Sequence, residues 1–266
     1  MTKYVKISTI SFSNRLEYRS DLFFSLFSKV FPFIIQVYMW KALYGGSADG
    51  VLLNYSYKDI MLYTIITLFV SALLAVDVHY KVAGEIKDGH LSRFLVQPLS
   101  HMQCKASEYI GEKAADFVFI ALIMSIVLVA LSAVGWLKLS FLAVLKFLGA
   151  MAVGISLQFL LFYCLSAAAF WIGECGGVFT AIGVISSIIS GAVFPLDVFG
   201  PEMLILSRYL PFYYIVYFPS NVLIGRVSAV EFWQGLAVMA VWFAVLMASK
   251  HVIWKNGMKR YIAAGG

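Results

Sequence analysis

The sequence predicts an all-α membrane protein of about six transmembrane helices, and three observations carry that reading. The 266 residues are 62% hydrophobic and only 13% charged, with a mean hydropathy of +0.88. A soluble domain of this length keeps about a quarter of its residues charged, so lipid must solvate much of the surface. Second, the apolar residues gather into runs close to the ~20 residues that a spanning helix needs. Third, the 20 Lys and Arg, in excess over 14 Asp and Glu, sit at the ends of those runs and form no patch. That placement argues for membrane topology and against a nucleic-acid interface.

The N-terminal stretch has no continuous apolar core and no small-residue cleavage site, so it is not read as a signal peptide. Between Lys3 and Asp21, Val5, Phe12 and Leu16 fall close together on a helical wheel, with Lys3, Lys6, Arg15 and Arg19 elsewhere. Residues 3–21 are expected to form a short helix in the cytoplasmic interface. A partly ordered tail is the other reading.

Spans are expected at 22–44, 60–78, 114–136, 141–170, 176–194 and 232–253. The first contains Lys29 and Pro32, and the fourth is long enough that it must tilt, bend or project from the bilayer. No internal repeat is found, which weakens an inverted-repeat carrier. An inside N-terminus puts Lys3, Lys6, Arg15, Arg19, Lys81, Lys87, Arg93, Lys105, Lys113, Lys250, Lys255, Lys259 and Arg260 on the inner side. The outer side then holds the smaller set Lys41, Lys58, Lys138, Lys146, Arg208 and Arg226. This bias places both termini, including the tail 254–266, in the cytoplasm.

Two connections stand out. In the inner loop, 81–113, Leu91, Phe94, Leu95, Leu99 and Met102 recur at helical spacing after Gly89, and Pro98 divides the pattern into two short helices. These helices could dock a soluble partner or lie against the bilayer. The outer segment, 195–222, contains Pro195, Pro201, Pro211 and Pro219 yet stays strongly apolar. The prolines forbid a continuous spanning helix, and the apolarity argues against a solvated loop. Short helices that dip into the membrane and return satisfy both, if their turn packs against protein. Tyr209, Phe212, Tyr213, Tyr214, Tyr217 and Phe218 then form an outer aromatic belt.

No G-x-x-x-x-G-K-[ST] loop, G-x-S-x-G elbow or H-E-x-x-H motif occurs, so no catalytic constellation is predicted. Cys104, Cys164 and Cys175 lack metal-ligand spacing, and His79, His90, His101 and His251 are scattered. Glu85 and Asp88 are read as partner-facing or solvated loop charges. Asp77, Asp116, Lys146 and Lys250 lie near span boundaries, within snorkelling reach of the interface. Lys29 is read first as a snorkelling residue and second as a substrate or ion contact. In the fifth span Gly183, Ser187 and Gly191 repeat every fourth position beside Ser186 and Ser190, a face that lets another helix approach closely. Gln158 is read as an interhelical hydrogen-bond donor rather than a substrate ligand.

With these elements placed, the chain resembles the membrane subunits of bacterial ABC transporters of the ABC-2 (type V exporter-like) class, in the branch without a fused ATPase. The resemblance covers nearly the whole chain. It rests on WKALYGG at Trp40–Gly46 followed by YSYKDIMLY, and on GEIKDGHLSRFLVQPLS in the inner loop. GAVFPLDVFGPEMLILSRYLPFYYIVYFPSNVLIG in the outer segment and WKNGMKRYIAAGG at the end complete it. It implies an interfacial connecting helix at 3–21 and outer re-entrant helices at Pro195–Pro219. It also implies a coupling helix around Gly89–Met102 that meets the ATPase, with Glu85, Asp88, Gly89, Leu91, Arg93, Phe94, Leu95 and Pro98 as coupling residues. The fifth span would lie near a dimer interface, where the Gly183, Ser187, Gly191 face could serve that contact or one within the chain. The implied partners are cytoplasmic ABC ATPase subunits, a second permease subunit (identical or similar) and membrane lipid, with no nucleic acid. No metal or cofactor is implied in this chain, ATP and Mg being bound by the partner ATPase. The implied role is export of a drug, antibiotic, peptide or lipid-like amphiphile across the bacterial cytoplasmic (inner) membrane. A membrane-embedded lipid-modifying enzyme and an ion-coupled carrier without ATPase are the rivals.

Overall fold

A computed structural model describes residues 2–45, 51, 52, 55–96, 99–138 and 140–261, and 82% of the structure is helical. The helices are α1 (Thr2–Glu17), α2 (Arg19–Leu43), α3 (Tyr57–Leu73), α4 (Val78–Lys87), α5 (Ser92–Val96), α6 (His101–Ala133), α7 (Phe141–Ser166), α8 (Gly176–Ile189), α9 (Pro201–Arg208), α10 (Tyr217–Ile224) and α11 (Ala229–Met258). Strands β1 (Val51–Leu52) and β2 (Tyr55–Ser56) pair antiparallel, Val51 with Ser56 and Leu52 with Tyr55. Among the described residues, Tyr57–Lys87, His101–Ala133, Phe141–Phe170 and Ala229–Met258 are long and apolar enough to cross a membrane, and Gly176–Ile189 is a shorter apolar helix. Val118, Leu122, Ile126 and Val129 line one exposed face of α6 while Ile120 and Met124 are buried. An outward apolar stripe at helical spacing is what a lipid solvent requires.

The core forms around the outer segment. Helix α10 packs against α3 and α7, and Tyr217, Phe218 and Leu223 join Tyr63, Ile66 and Val70 of α3, Ala150, Met151 and Leu157 of α7, and Phe232 and Met239 of α11. A Cβ on Gly154, midway along α7, would lie 3.6 Å from the Tyr214 carbonyl oxygen and 3.7 Å from that of Ile215. The segment therefore penetrates to the middle of α7 before turning back. Its breaks are tied down by hydrogen bonds, as a bilayer interior demands. The Tyr217 N–H donates to the Ser190 carbonyl at 3.0 Å, Trp242 Nε1–H to Tyr209 at 3.1 Å, and the Tyr214 hydroxyl to Arg208 at 2.9 Å. Gly225, at φ +87°, ends α10, and the reciprocal Ser228–Glu231 capping box starts α11.

On α11, Gly235 faces the Phe218 ring so closely that a Cβ would overlap it. Gly235→Ala is therefore expected to cost about 1–3 kcal/mol by overpacking, although alanine is the better helix former. Thermal unfolding in detergent checks this, and an unchanged midpoint contradicts the close seating of α10 on α11.

At the opposite end, α1 lies along the first turns of α6. Tyr4, Ile7, Ser8, Ser11, Phe12 and Arg15 form its less exposed face, and the Tyr4 hydroxyl accepts from the Ser100 N–H at 3.2 Å. Gly111 lets the backbones approach, because a Cβ there would collide with the Ser8 carbonyl. Val5, grouped with Phe12 and Leu16 from the helical wheel, is 64% exposed and lies off the packed face. The wheel identifies an apolar direction, but small Ser8 and Ser11 opposite Gly111 define the contact. The sequence also suggests a short helix after Pro98 and a third span starting at 114, whereas a single helix begins at His101 and runs to Ala133. Its first turns are too polar to register as part of a span.

Candidate coupling site and polar cavity

The end of the bundle that carries α1 and the last turns of α11 holds a charged hub. Glu85 on α4 has a side chain only 14% exposed and accepts from three donors. Arg93 Nη2 reaches Oε1 at 2.9 Å, Lys105 Nζ reaches Oε1 at 2.8 Å, and His101 Nε2 lies 2.9 Å from Oε2. His101 Nδ1 lies 2.8 Å from the Tyr163 hydroxyl. A proton on Nε2 satisfies both contacts, with the carboxylate and Nδ1 accepting. Glu85 is thus not a solvated loop charge: α4, α5 and α6 converge on it. Lys105 also pairs with Glu108 at 2.8 Å.

The apolar shell of this hub is aromatic. Phe94 meets His101 edge-on with centroids 4.7 Å apart, and Trp254 of α11 stacks on Tyr163 at 4.9 Å. Leu91 is 3% exposed and packs inward. The turn between α4 and α5 depends on Gly89, whose φ of +75° favours glycine. Its carbonyl accepts from Ser92 Oγ at 2.8 Å and from the Tyr261 hydroxyl, and Tyr261 accepts in turn from the Ser92 N–H at 3.2 Å. The C-terminal segment therefore clasps the loop. Lys87, Asp88, His90 and Arg93 form the exposed face. The backbone of Leu95 lies in α5, and Pro98 falls outside the described residues. Tyr261→Phe removes two hydrogen bonds at the Gly89 turn. Hydrogen exchange of α5 is expected to rise about tenfold for ~1.4 kcal/mol of lost local stability; unchanged protection contradicts the clasp.

A second feature lies between the hub and the core. A cavity of about 350 Å³ is lined by Lys29 of α2, Ser71 at the end of α3, His79 and Tyr80 of α4, Gln158 and Phe162 of α7, Thr180, Gly183, Ser186 and Ser187 of α8, and Ser190 just after it. Ile215 and Val216, at the deepest point of the outer segment, also line it. Ser71 Oγ, His79 Nδ1 and Gln158 Oε1 are buried on this wall without a hydrogen-bond partner. Gln158, expected from sequence to donate across helices, has its amide oxygen buried without a partner beside the cavity. Gly183 has open space where a Cβ would be, whereas a Cβ on Gly191, at φ +78°, would meet Tyr63 and Tyr217. Of the small-residue face, Gly191 packs within the chain and Gly183 and Ser187 border the cavity.

The remaining predicted positions lie at the far end. Pro195 precedes a short turn at Leu196–Phe199, Pro201 is the first residue of helix α9, Pro211 opens a turn at Pro211–Tyr214, and Pro219 sits in the first turn of α10. Asp197 accepts from the Tyr55 hydroxyl at 2.9 Å, and Arg226 stacks 4.0 Å over the Tyr55 ring. Burial, and secondly the Asp197 carboxylate, push the Tyr55 phenol above its ordinary pKa, so it stays a donor. A larger cavity of about 850 Å³ opens between this segment and α11.

Sequence reasoning missed His79, Tyr163, Lys105, Trp254 and Tyr261 as site members. Only Trp254 and Tyr261 carried a signal, as parts of the C-terminal WKNGMKRY string.

An apolar-faced helical bundle with a polar cavity inside it defines a multi-pass all-α membrane protein. A model of the ABC-2 family transporter proteins matches residues 30–265, and the chain belongs to that family: it is a membrane component of an ABC transporter. Its role is transport rather than catalysis. None of the curated proteins compared with the chain matches it.

Proposed function

We propose that the chain is the permease subunit of an ABC exporter whose ATP is hydrolysed by separate cytoplasmic ATPase subunits, which bind ATP and Mg. Two permease subunits, identical or similar, form the path across the bacterial inner membrane, and an amphiphile such as a drug, antibiotic, peptide or lipid-like molecule is the cargo. Helices α2 and α8 complete six spans with the four long apolar stretches. The termini and the α4–α5 turn face the cytoplasm, α1 serves as the connecting helix, and 195–222 is re-entrant from outside.

One observation carries this reading. The ten-residue helix α4 bears Glu85, the centre of the charged hub, and His79, on the wall of the polar cavity. The exposed Lys87, Asp88, His90 and Arg93 would meet the ATPase, and a push there moves α4 as a unit. ATP binding can then bias the cavity, because a ligand shifts only an equilibrium whose states it binds differently. The small, polar wall suits an alternating-access path better than a static pore.

Arg93, with a side chain 54% exposed, offers a second docking test that keeps Leu91 and Phe94 in place. A Leu91→Glu, Phe94→Glu double variant would place a charge in the chain's own packing as well as at the partner. Arg93→Glu puts like charges beside Glu85 and reverses the docking surface. Permease-stimulated ATP hydrolysis is expected to fall about tenfold, the weight of one charged contact, at normal membrane yield. Undiminished stimulation contradicts the assignment of this face.

A further inference from the structure

The cavity beneath Ile215 and Val216 has a chemistry that the docking role does not use. Ser71 Oγ, His79 Nδ1 and Gln158 Oε1 are unpartnered there, and His79 and Gln158 are only 4% and 9% exposed. An unpaired polar atom in a low-dielectric interior is costly, so three beside one cavity favour a ligand, or water, that pairs with them. Among the described residues, Lys29 is the one formal charge lining the cavity, with no Asp or Glu beside it. An intramembrane lysine with no carboxylate in the described lining calls for an anion.

The hydroxyls refine the ligand. Thr180 donates to the Gly176 carbonyl at 3.0 Å and accepts from the Tyr80 hydroxyl at 3.3 Å. Ser187 donates to Val184 at 2.7 Å and Ser190 to Ser187 at 3.3 Å, so their protons are committed to α8 and their lone pairs are left for the cavity. Acceptors in that number suit a ligand that also brings hydrogen-bond donors. The volume, about 350 Å³, sits at the low end of ligand pockets, which run about 300–1,000 Å³. It takes a headgroup and leaves the tail outside, and exposed Tyr80 and Thr180 mark the open side.

We infer that this cavity binds the headgroup of an amphiphile carrying one negative charge and hydroxyl donors, with Lys29 as its counter-ion. Gln158, Ser187 and Ser190 accept from the ligand's hydroxyls, and Ser71 and the N–H tautomer of His79 donate to its anionic oxygens. A polyol phosphate ester has this chemistry, whether as a resident membrane lipid or as cargo. Only its standing as cargo rests on the transporter reading.

Native mass spectrometry of the full chain in detergent, titrated with lysophosphatidylglycerol, lysophosphatidylmethanol and lysophosphatidylcholine, tests the inference. One saturable lysophosphatidylglycerol per chain is expected, about tenfold tighter than the choline lipid, with the methanol ester, whose headgroup carries no hydroxyl, between them. Lys29→Gln should lose about tenfold and Lys29→Arg should keep binding. Ser187→Asp, which adds a carboxylate to the same wall, should abolish binding in a chain that still folds. Equal affinity for all three lipids, or binding indifferent to Lys29→Gln and Ser187→Asp, overturns the proposal. With ATPase and ATP present, release of the probe identifies cargo and retention identifies a resident lipid; both support the site. A chain that binds the probe yet recruits no ATPase contradicts the exporter reading and leaves the site standing.

Discussion

Glu85→Gln is expected to lower the thermal midpoint of the purified protein and to uncouple ATP hydrolysis from transport. The neutral amide keeps the shape of the carboxylate but cannot neutralise Lys105, whose side chain is 5% exposed, or accept with equal strength from Arg93 and His101. Removing one partner of a buried pair costs more than the pair itself contributes, because the remaining charge stays desolvated. Lys105 keeps Glu108, so the loss should be about 2–3 kcal/mol rather than the full cost of an orphaned cation. Glu85 joins α4, α5 and α6, so the loop proposed to meet the ATPase should loosen while the spans stay inserted. Two measurements check this: a lowered unfolding midpoint in detergent, and basal ATP hydrolysis that no longer responds to cargo. A variant matching the unmodified protein in both would show that the hub neither stabilises nor couples.

Asp116→Ala is expected to release α1 from α6. Asp116 is 3% exposed and takes Arg15 Nε on Oδ1 at 2.8 Å and Lys113 Nζ on Oδ2 at 2.9 Å. Without it, Lys113 remains with a side chain only 10% exposed and its Asp116 partner gone, a loss of about 3 kcal/mol. Arg15 is one-third exposed and can turn to water, so it adds little. Gly111→Leu should produce the same detachment without changing any charge, by driving a side chain into the Ser8 backbone. A cysteine at Ser8 should react slowly with a maleimide in the otherwise unmodified chain and quickly in both variants. Slow labelling in the two variants contradicts the packed arrangement of α1.

The fold class was legible because lipid leaves a coarse mark on sequence: long apolar runs at α3, α6, α7 and α11, with charges at their ends. The break-up of 195–222 into short helices was legible for a different reason. Prolines at 195, 201, 211 and 219 exclude a spanning helix, while the Tyr and Phe between them exclude a solvated loop. What periodicity cannot carry is pairing between distant positions. Nothing local in GEIKDGH indicates that Glu85 will meet Lys105 and His101, or that Tyr261 will close over Gly89. The polar start of α6 hides the true beginning of that helix, because hydropathy sees spans and not their extensions. The cavity was visible only as isolated exceptions, with Lys29, Gln158 and the serines of α8 each given a separate reading. Packing makes them one wall.

Co-purification tests the central claim most directly. The full chain, tagged and expressed with its neighbouring genes, would be isolated in mild detergent with an ATP analogue present, and everything retained would be identified and counted. One P-loop ATPase per permease chain is the expected result, lost with Arg93→Glu and retained with Lys29→Gln. A chain recovered without any ATPase under those conditions would contradict the account and favour a carrier or membrane enzyme that works alone.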